Sequence, residues 1–303
     1  MAFLLELVPA LLLGMALARR WPDLAGRLAP PLVRWGVPFS LMGLLLRSGL
    51  RWHYLQMLLL ALAVVATGLL LVHAPWGPRW LRRAFPGPAQ RLGAVLGNTA
   101  YFGIPAVLAL LPAAAVGYAI SYDLAATLFT WTVGPLLIAG RPLAWRPLLA
   151  ALSASPASQG LLGAVLLQLT PWQAVLAGWL WWPARLVMWL SLVVLGLRMA
   201  AVLGSPLPRQ LWPSLFTKLV VFPLAVLLLA LLLRLPPLLL APLVLQAAAP
   251  TAVSVLLLTE TAEADPQPPA ALVLWSTVVA VASVPLWAWL LRLAALSPAP
   301  AGV

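Results

Sequence analysis

Cysteine is absent from the 303 residues, which excludes disulfides, thiolate metal sites and a cysteine nucleophile. Charge is scarce as well: charged residues make up 8% of the chain, against roughly 25% in soluble domains. So little charge cannot cover a water-facing surface, and a soluble fold is excluded with it. Lysine occurs once, as Lys218, and the remaining basic residues are arginines. The two histidines, His53 and His73, have no partner at metal-ligand spacing. There is no H-E-x-x-H, G-x-S-x-G or Walker loop, and Ser153-Ala154-Ser155 lacks a credible base. These gaps leave no enzyme signature, no metal and no cofactor to argue for.

What is present is apolar. Hydrophobic residues make up 64% of the chain, enough for about ten spans of roughly 20 residues joined by short loops. The expectation is an all-α polytopic membrane protein with no soluble domain. The formal charge of +12 does not point to nucleic acid, because the arginines stand at helix ends rather than along one face. Abundant Ala, Leu, Pro and Arg suit a GC-rich bacterial genome, hence a bacterial inner membrane. Ala16-Leu17-Ala18 resembles a signal-peptidase site, but Arg19 and Arg20 follow the apolar core instead of preceding it. The first span is therefore read as uncleaved, with its N-terminus outside.

Spans are expected at about 3–18, 32–46, 55–72, 92–111 and 116–139 in a first repeat (1–146). A second repeat (147–303) has them at about 157–169, 184–199, 218–233, 238–258 and 269–291. Trp172, Trp179, Trp181 and Trp182 read as an aromatic belt at the headgroup level. With the N-terminus outside, the inner side receives Arg19, Arg20, Arg27, Arg34, Arg79, Arg82, Arg83, Arg91, Arg141, Arg146, Arg198, Arg209 and Lys218. The outer side receives Arg47, Arg51, Arg185, Arg234 and Arg292. Cytoplasmic loops are enriched in Lys and Arg, so both termini are expected outside.

The halves resemble each other. Ser40-Leu41-Met42-Gly43-Leu44-Leu45-Leu46-Arg47 closes span 2, and Ser191-Leu192-Val193-Val194-Leu195-Gly196-Leu197-Arg198 closes span 7. Asn98-Thr99-Ala100 in span 4 and Pro250-Thr251-Ala252 in span 9 fall at nearly the same offset. Five spans per half is odd, so the second copy would be inserted upside down. Such inverted repeats are a plan of secondary transporters.

Chemistry concentrates in those two spans. Gly97-Asn98-Thr99-Ala100-Tyr101-Phe102-Gly103-Ile104-Pro105 carries an amide, a hydroxyl, a phenol, two glycines and a proline within an apolar run. Pro105 has no N–H and its ring clashes with the Tyr101 carbonyl, so a straight helix is not expected. Broken backbone cannot face lipid and must face protein or a wet cavity. In span 9, Pro250 frees the Gln246 carbonyl, with Thr251 and Ser254 nearby. Each proline could start a second half-helix, whose N-terminus carries partial positive charge suited to a carboxylate. The freed carbonyls suit a cation or a substrate donor. The plain alternative is a pair of ordinary proline kinks. The expected binding residues are Asn98, Thr99, Tyr101, Gly103, Pro105, Gln246, Pro250, Thr251 and Ser254.

Asp123, in span 5, shares a helical face with Thr127 and Thr130. A carboxylate inside a bilayer is a functional candidate, here a proton carrier or cation ligand for coupling to H+ or Na+. The other reading is a shallow acid that reaches outer water or pairs with an arginine. Glu6 is placed at the interface. Glu260 and Glu263 read as solvated loop charges, or as a gate at the inner mouth.

The span-4 stretch closely matches G-N-x-x-Y-x-G-x-P, the fourth-span motif of the auxin efflux carrier family, and the chain resembles that family in its bacterial form. Ala249-Pro250-Thr251-Ala252-Val253, the trailing Leu258-Thr259-Glu260 and Leu195-Gly196 are similar to it too. The resemblance implies ten spans in a five-plus-five inverted repeat, with broken helices 4 and 9 crossing at the substrate site. It also implies a small organic anion as cargo: auxin in plant exporters, dicarboxylates such as malate or malonate in some bacterial members. Asn98, Gly103, Pro105 and Pro250 would belong to the crossover. Two departures stand out. Trp189 replaces a proline frequent in span 7, and the long loop that many plant members carry between spans 5 and 6 is absent.

The expectation is a secondary active transporter for an organic anion, working by alternating access in the lipid bilayer, with a homodimer left open. Two other readings remain. One is a drug/metabolite-type permease, also of ten spans but with its termini inside. The other is a membrane sensor with a transporter fold and no flux.

Overall fold

Three prolines shape the helices of this chain. The computed structural model describes residues 2–48, 52–141, 145–202, 207–261 and 267–296. Within them Pro38, Pro105 and Pro223 each stand two residues after a five-residue π-turn, at Leu32–Gly36, Thr99–Gly103 and Thr217–Val221. Proline offers no N–H to the carbonyl four residues back. The wider turn absorbs that gap. The Ile104 N–H reaches back five residues to Thr99, and the Phe222 N–H to Thr217. Where Pro223 leaves the Leu219 carbonyl without its usual donor, the indole of Trp287 supplies one at 2.9 Å.

The helices in order are α1 (Ala2–Ala18), α2 (24–48, containing the first π-turn), α3 (Trp52–His73), α4 (Arg79–Ala84) and α5 (Pro88–Val95). After a gap come α6 (Thr99–Leu110), α7 (Val116–Ile138), α8 (Trp145–Ala154), α9 (Pro156–Gln168) and α10 (Gln173–Val202). They are followed by α11 (Arg209–Leu232), α12 (Pro237–Ala247), α13 (Val253–Thr261) and α14 (Gln267–Leu293). The described residues hold no strand, only an isolated bridge between Gly97 and Thr251.

Among the described residues, four helices are long and apolar enough to cross a membrane: α3, the Gln173–Val194 part of α10, α11 and α14. A fifth crossing results if α8 and α9, bent by 61°, form one span. The α6 and α12 helices are apolar but shorter. Leucines such as Leu169, Leu228 and Leu232 point outward, as a lipid-facing surface requires.

Several expected spans have different bounds. Span 2 begins at Leu24 rather than Leu32, so Arg27 and Arg34 lie within α2 and not in a loop. Span 7 begins at Gln173 rather than Ala184, so Trp179, Trp181 and Trp182 stand in the first turns of α10, a single 30-residue helix. Trp179 and Trp182 are exposed there, whereas Trp181 lies under the Arg47 guanidinium at 4.1 Å.

The two sequence halves are intermingled, since α1 and α2 both lie along α10. The α1–α10 contact is backbone to backbone. A Cβ on Gly14 would lie 2.1 Å from the Val193 carbonyl oxygen, and one on Gly196 would lie 2.2 Å from that of Leu11. Small residues that let helices approach closely are the usual cement of helix pairs in lipid, where no hydrophobic force draws them together. On the other side α7 packs along α3, and α5, α6, α12 and α13 fill the space between.

Candidate functional site

Both proline-bearing segments are interrupted, but not in the same manner. Around Pro250 the chain leaves α12 after Ala247 and enters α13 at Val253, so the interruption surrounds the proline. In the first segment it falls at 96–98, between α5 and α6, and Pro105 lies inside the second half-helix instead of starting it. The π-turn ahead of Pro105 explains the shift, since it accommodates the missing N–H and spares the helix a break.

The interruptions lie against each other as a short antiparallel bridge. The Asn98 N–H donates to the Pro250 carbonyl at 2.6 Å, and the Ala252 N–H to the Leu96 carbonyl at 3.0 Å. Unwound backbone that would be costly in an apolar interior is thereby paired. Side chains reinforce the join. Thr251 Oγ1 donates to the Gly93 carbonyl at 2.9 Å, and the Thr251 N–H to Ser276 Oγ at 3.0 Å.

The first turns of α6 and α13 open on one cavity of ≈ 90 Å³. A helix's first N–H groups have no acceptor within the helix and carry its positive dipole end. Here the earliest N–H to bond back in α6 is that of Phe102, to the Asn98 carbonyl at 3.1 Å. Asn98 lines the cavity, is 4% exposed, and its Nδ2 has no hydrogen-bond partner. Asp123 and Thr127 of α7 form another wall, where Thr99 Oγ1 donates to Asp123 Oδ1 at 2.6 Å. Thr127 also hydrogen-bonds the Asp123 carboxylate. Among the described residues, Asp123 is the only charged one lining the cavity. The Tyr101 hydroxyl bonds Ser191 of α10, tying α6 to that helix.

Of the expected residues, Asn98, Thr99, Tyr101, Asp123 and Ser254 line this cavity. Gly103, Pro105, Gln246, Pro250 and Thr251 do not. Gln246 is fully buried, donating from Nε2 to the Ala119 carbonyl at 3.0 Å. A Cβ on Gly103 would stand 1.9 Å from Gln246 Oε1, so glycine there makes room for this contact between α6 and α12. Pro250 and Thr251 build the bridge behind the cavity wall. The side chains of Glu6, Glu260 and Glu263 lie outside the described residues.

Lys218 is not at a helix end, as the sequence suggests, but inside α11. It is fully buried in the π-turn of α11. Its Nζ donates to the Val95 carbonyl at 3.3 Å and the Ala247 carbonyl at 3.5 Å, the last residues of α5 and α12. The Phe222 ring lies 5.0 Å away. One sequence signal could have found it: the sole lysine stands in the apolar run Leu215-Phe216-Thr217-Lys218-Leu219-Val220-Val221. The site is therefore polarised, with half-helix N-termini at the cavity and half-helix C-termini at the ammonium.

Residues 187–288 match the family model described as membrane transport protein. The match runs from α10 into α14 and takes in Lys218 and the second interruption. No curated protein matches the chain.

Proposed function

We propose that this chain, whose residues 187–288 match the membrane transport domain of the auxin efflux carrier family, carries a small organic anion across the membrane as a secondary transporter. One observation carries the reading. The first turns of α6 and α13, with the unpartnered amide of Asn98, converge on a single cavity whose lining, among the described residues, includes no basic side chain. Helix N-termini and free N–H groups bind carboxylates without a buried arginine. A cavity of ≈ 90 Å³ exceeds what one water needs and leaves room for a small ligand such as a short carboxylic acid.

The proposed architecture is ten crossings in two inverted sets of five (1–146 and 147–303), with spans 4 and 9 broken and crossing. The bridge between 97 and 251 and the sequence likeness of the halves support it. Transport would proceed by alternating access around the paired breaks, in a bacterial inner membrane with both termini outside. Asp123 would be the coupling group. An anion and an ionised carboxylate in one cavity repel each other, so a proton on Asp123 would accompany the substrate.

The same lone carboxylate motivates a second reading, in which the cargo is a cation. Uptake of labelled short mono- and dicarboxylates and of organic amines into proteoliposomes, at several external pH values, separates the two. Carboxylate uptake that rises as the outside is acidified, and is lost in Asn98→Ala, supports the anion reading. Uptake of amines alone overturns it, and binding without any flux favours the sensor.

A further inference from the structure

The strongest feature outside the cavity is the ammonium of Lys218, behind the bridge. The last carbonyls of a helix lack donors and carry about half a negative charge. Here two such ends, α5 at Val95 and α12 at Ala247, are brought to one buried point. Left alone they repel each other, and water is excluded from a place where Lys218 is 0% exposed. No carboxylate bonds Lys218 among the described residues; its polar partners are the two carbonyls, with the face of Phe222 on another side. The ammonium also reaches the bridge, because a Cβ on Gly97 would stand 3.5 Å from Nζ. Half-helix C-termini beside unwound backbone are the chemistry with which broken-helix transporters hold a coupling cation.

We propose that Lys218 is a built-in cation of the paired interruptions, filling the place between the ends of α5 and α12 that would otherwise take a monovalent ion such as Na+. The scaffold around it keeps the ammonium there. The π-turn ahead of Pro223 carries the residue, and Trp287 anchors that turn through the Leu219 carbonyl. On the transport reading, which this inference deepens, no sodium ion is bound at this place, and the coupling ion acts at the cavity. An obligatory proton at Asp123 would be consistent with that arrangement.

The test uses the full-length chain and needs no substrate, so its outcome is separate from that of the uptake assays. Thermal midpoints in detergent are compared in NaCl, choline chloride and n-propylammonium chloride at equal ionic strength. The wild type should melt alike in all three. Lys218→Ala should melt on the order of 5–10 °C lower in choline. It should regain at least half of that loss in propylammonium or sodium, which fit the vacated space. Lys218→Met fills the space without charge, and should melt low in all three salts. The proposal is overturned if Lys218→Met melts like the wild type, or if neither cation restores Lys218→Ala. Should Lys218→Ala give no folded protein in choline, folded protein recovered only with propylammonium or sodium supports the proposal, and none with either overturns it.

Discussion

The backbone N–H of Asn98 donates to the carbonyl of Pro250 at 2.6 Å, and this main-chain bond joins the two interrupted segments whatever side chain residue 98 carries. The Asn98 amide nitrogen, by contrast, bonds nothing. On the proposed function, structure and binding are thus divided between two parts of one residue. Asn98→Ala should shift the unfolding free energy by less than about 1 kcal/mol, because no protein hydrogen bond to Nδ2 is lost. Carboxylate affinity should fall by about tenfold or more, read by isothermal titration or by uptake in proteoliposomes.

Gly103 and Gln246 form a steric pair across α6 and α12. Adding a methyl group at 103 forces it to 1.9 Å from Gln246 Oε1. Gly103→Ala should cost about 1–3 kcal/mol, seen as a lowered thermal midpoint. Adding Gln246→Ala should return part of that loss, although Gln246→Ala alone is destabilising because it empties a buried site. Additive losses in the double variant would show that the contact is not the cause.

Asp123 tests the charge logic of the cavity. Asp123→Asn keeps the shape and the acceptor for Thr99 while removing the one charge that the described residues place in the lining. Among the described residues, Tyr101 is the other titratable side chain facing the cavity. Carboxylate binding should survive or tighten in this variant at neutral pH, and the rise of uptake on acidification should disappear. Retention of the wild-type pH profile would remove Asp123 from coupling.

Trp287 donates to a carbonyl that Pro223 leaves without a helical partner. Trp287→Phe should therefore cost about 1–3 kcal/mol for an unsatisfied buried acceptor, on top of the change in packing. Pro223→Ala in the same background restores an N–H to that turn and should recover part of the loss. Thermal unfolding of the two variants, alone and combined, gives the comparison.

Much of the candidate site was legible because it depends on local chemistry. Polar residues and glycine in an apolar run marked residues 97–105, and Pro250 marked its counterpart. The position of the first interruption was not legible, since a proline that breaks a regular α-turn is tolerated after a π-turn, and nothing in residues 99–103 announces one. Gln246 was expected in the cavity, because a polar residue beside a proline looks like a ligand; the shape that turns it onto Gly103 comes from another helix. Lys218 was missed for a similar reason. Its acceptors lie 123 and 29 positions away, at helix ends that folding alone brings together.

The three π-turns have a mechanical consequence. A helix resists bending because its ladder of hydrogen bonds must stretch on one side. Ahead of Pro38, Pro105 and Pro223 that ladder is already one bond short, so α2, α6 and α11 can tilt at these levels without giving up another. The α3 helix, 22 residues with no proline and no π-turn, has no such soft point and moves as a rod. Compliance in this molecule is thus placed at fixed depths within particular helices, and two of these points flank the cavity, which Leu32 and Ser40 of α2 line on one side and the first turn of α6 on another.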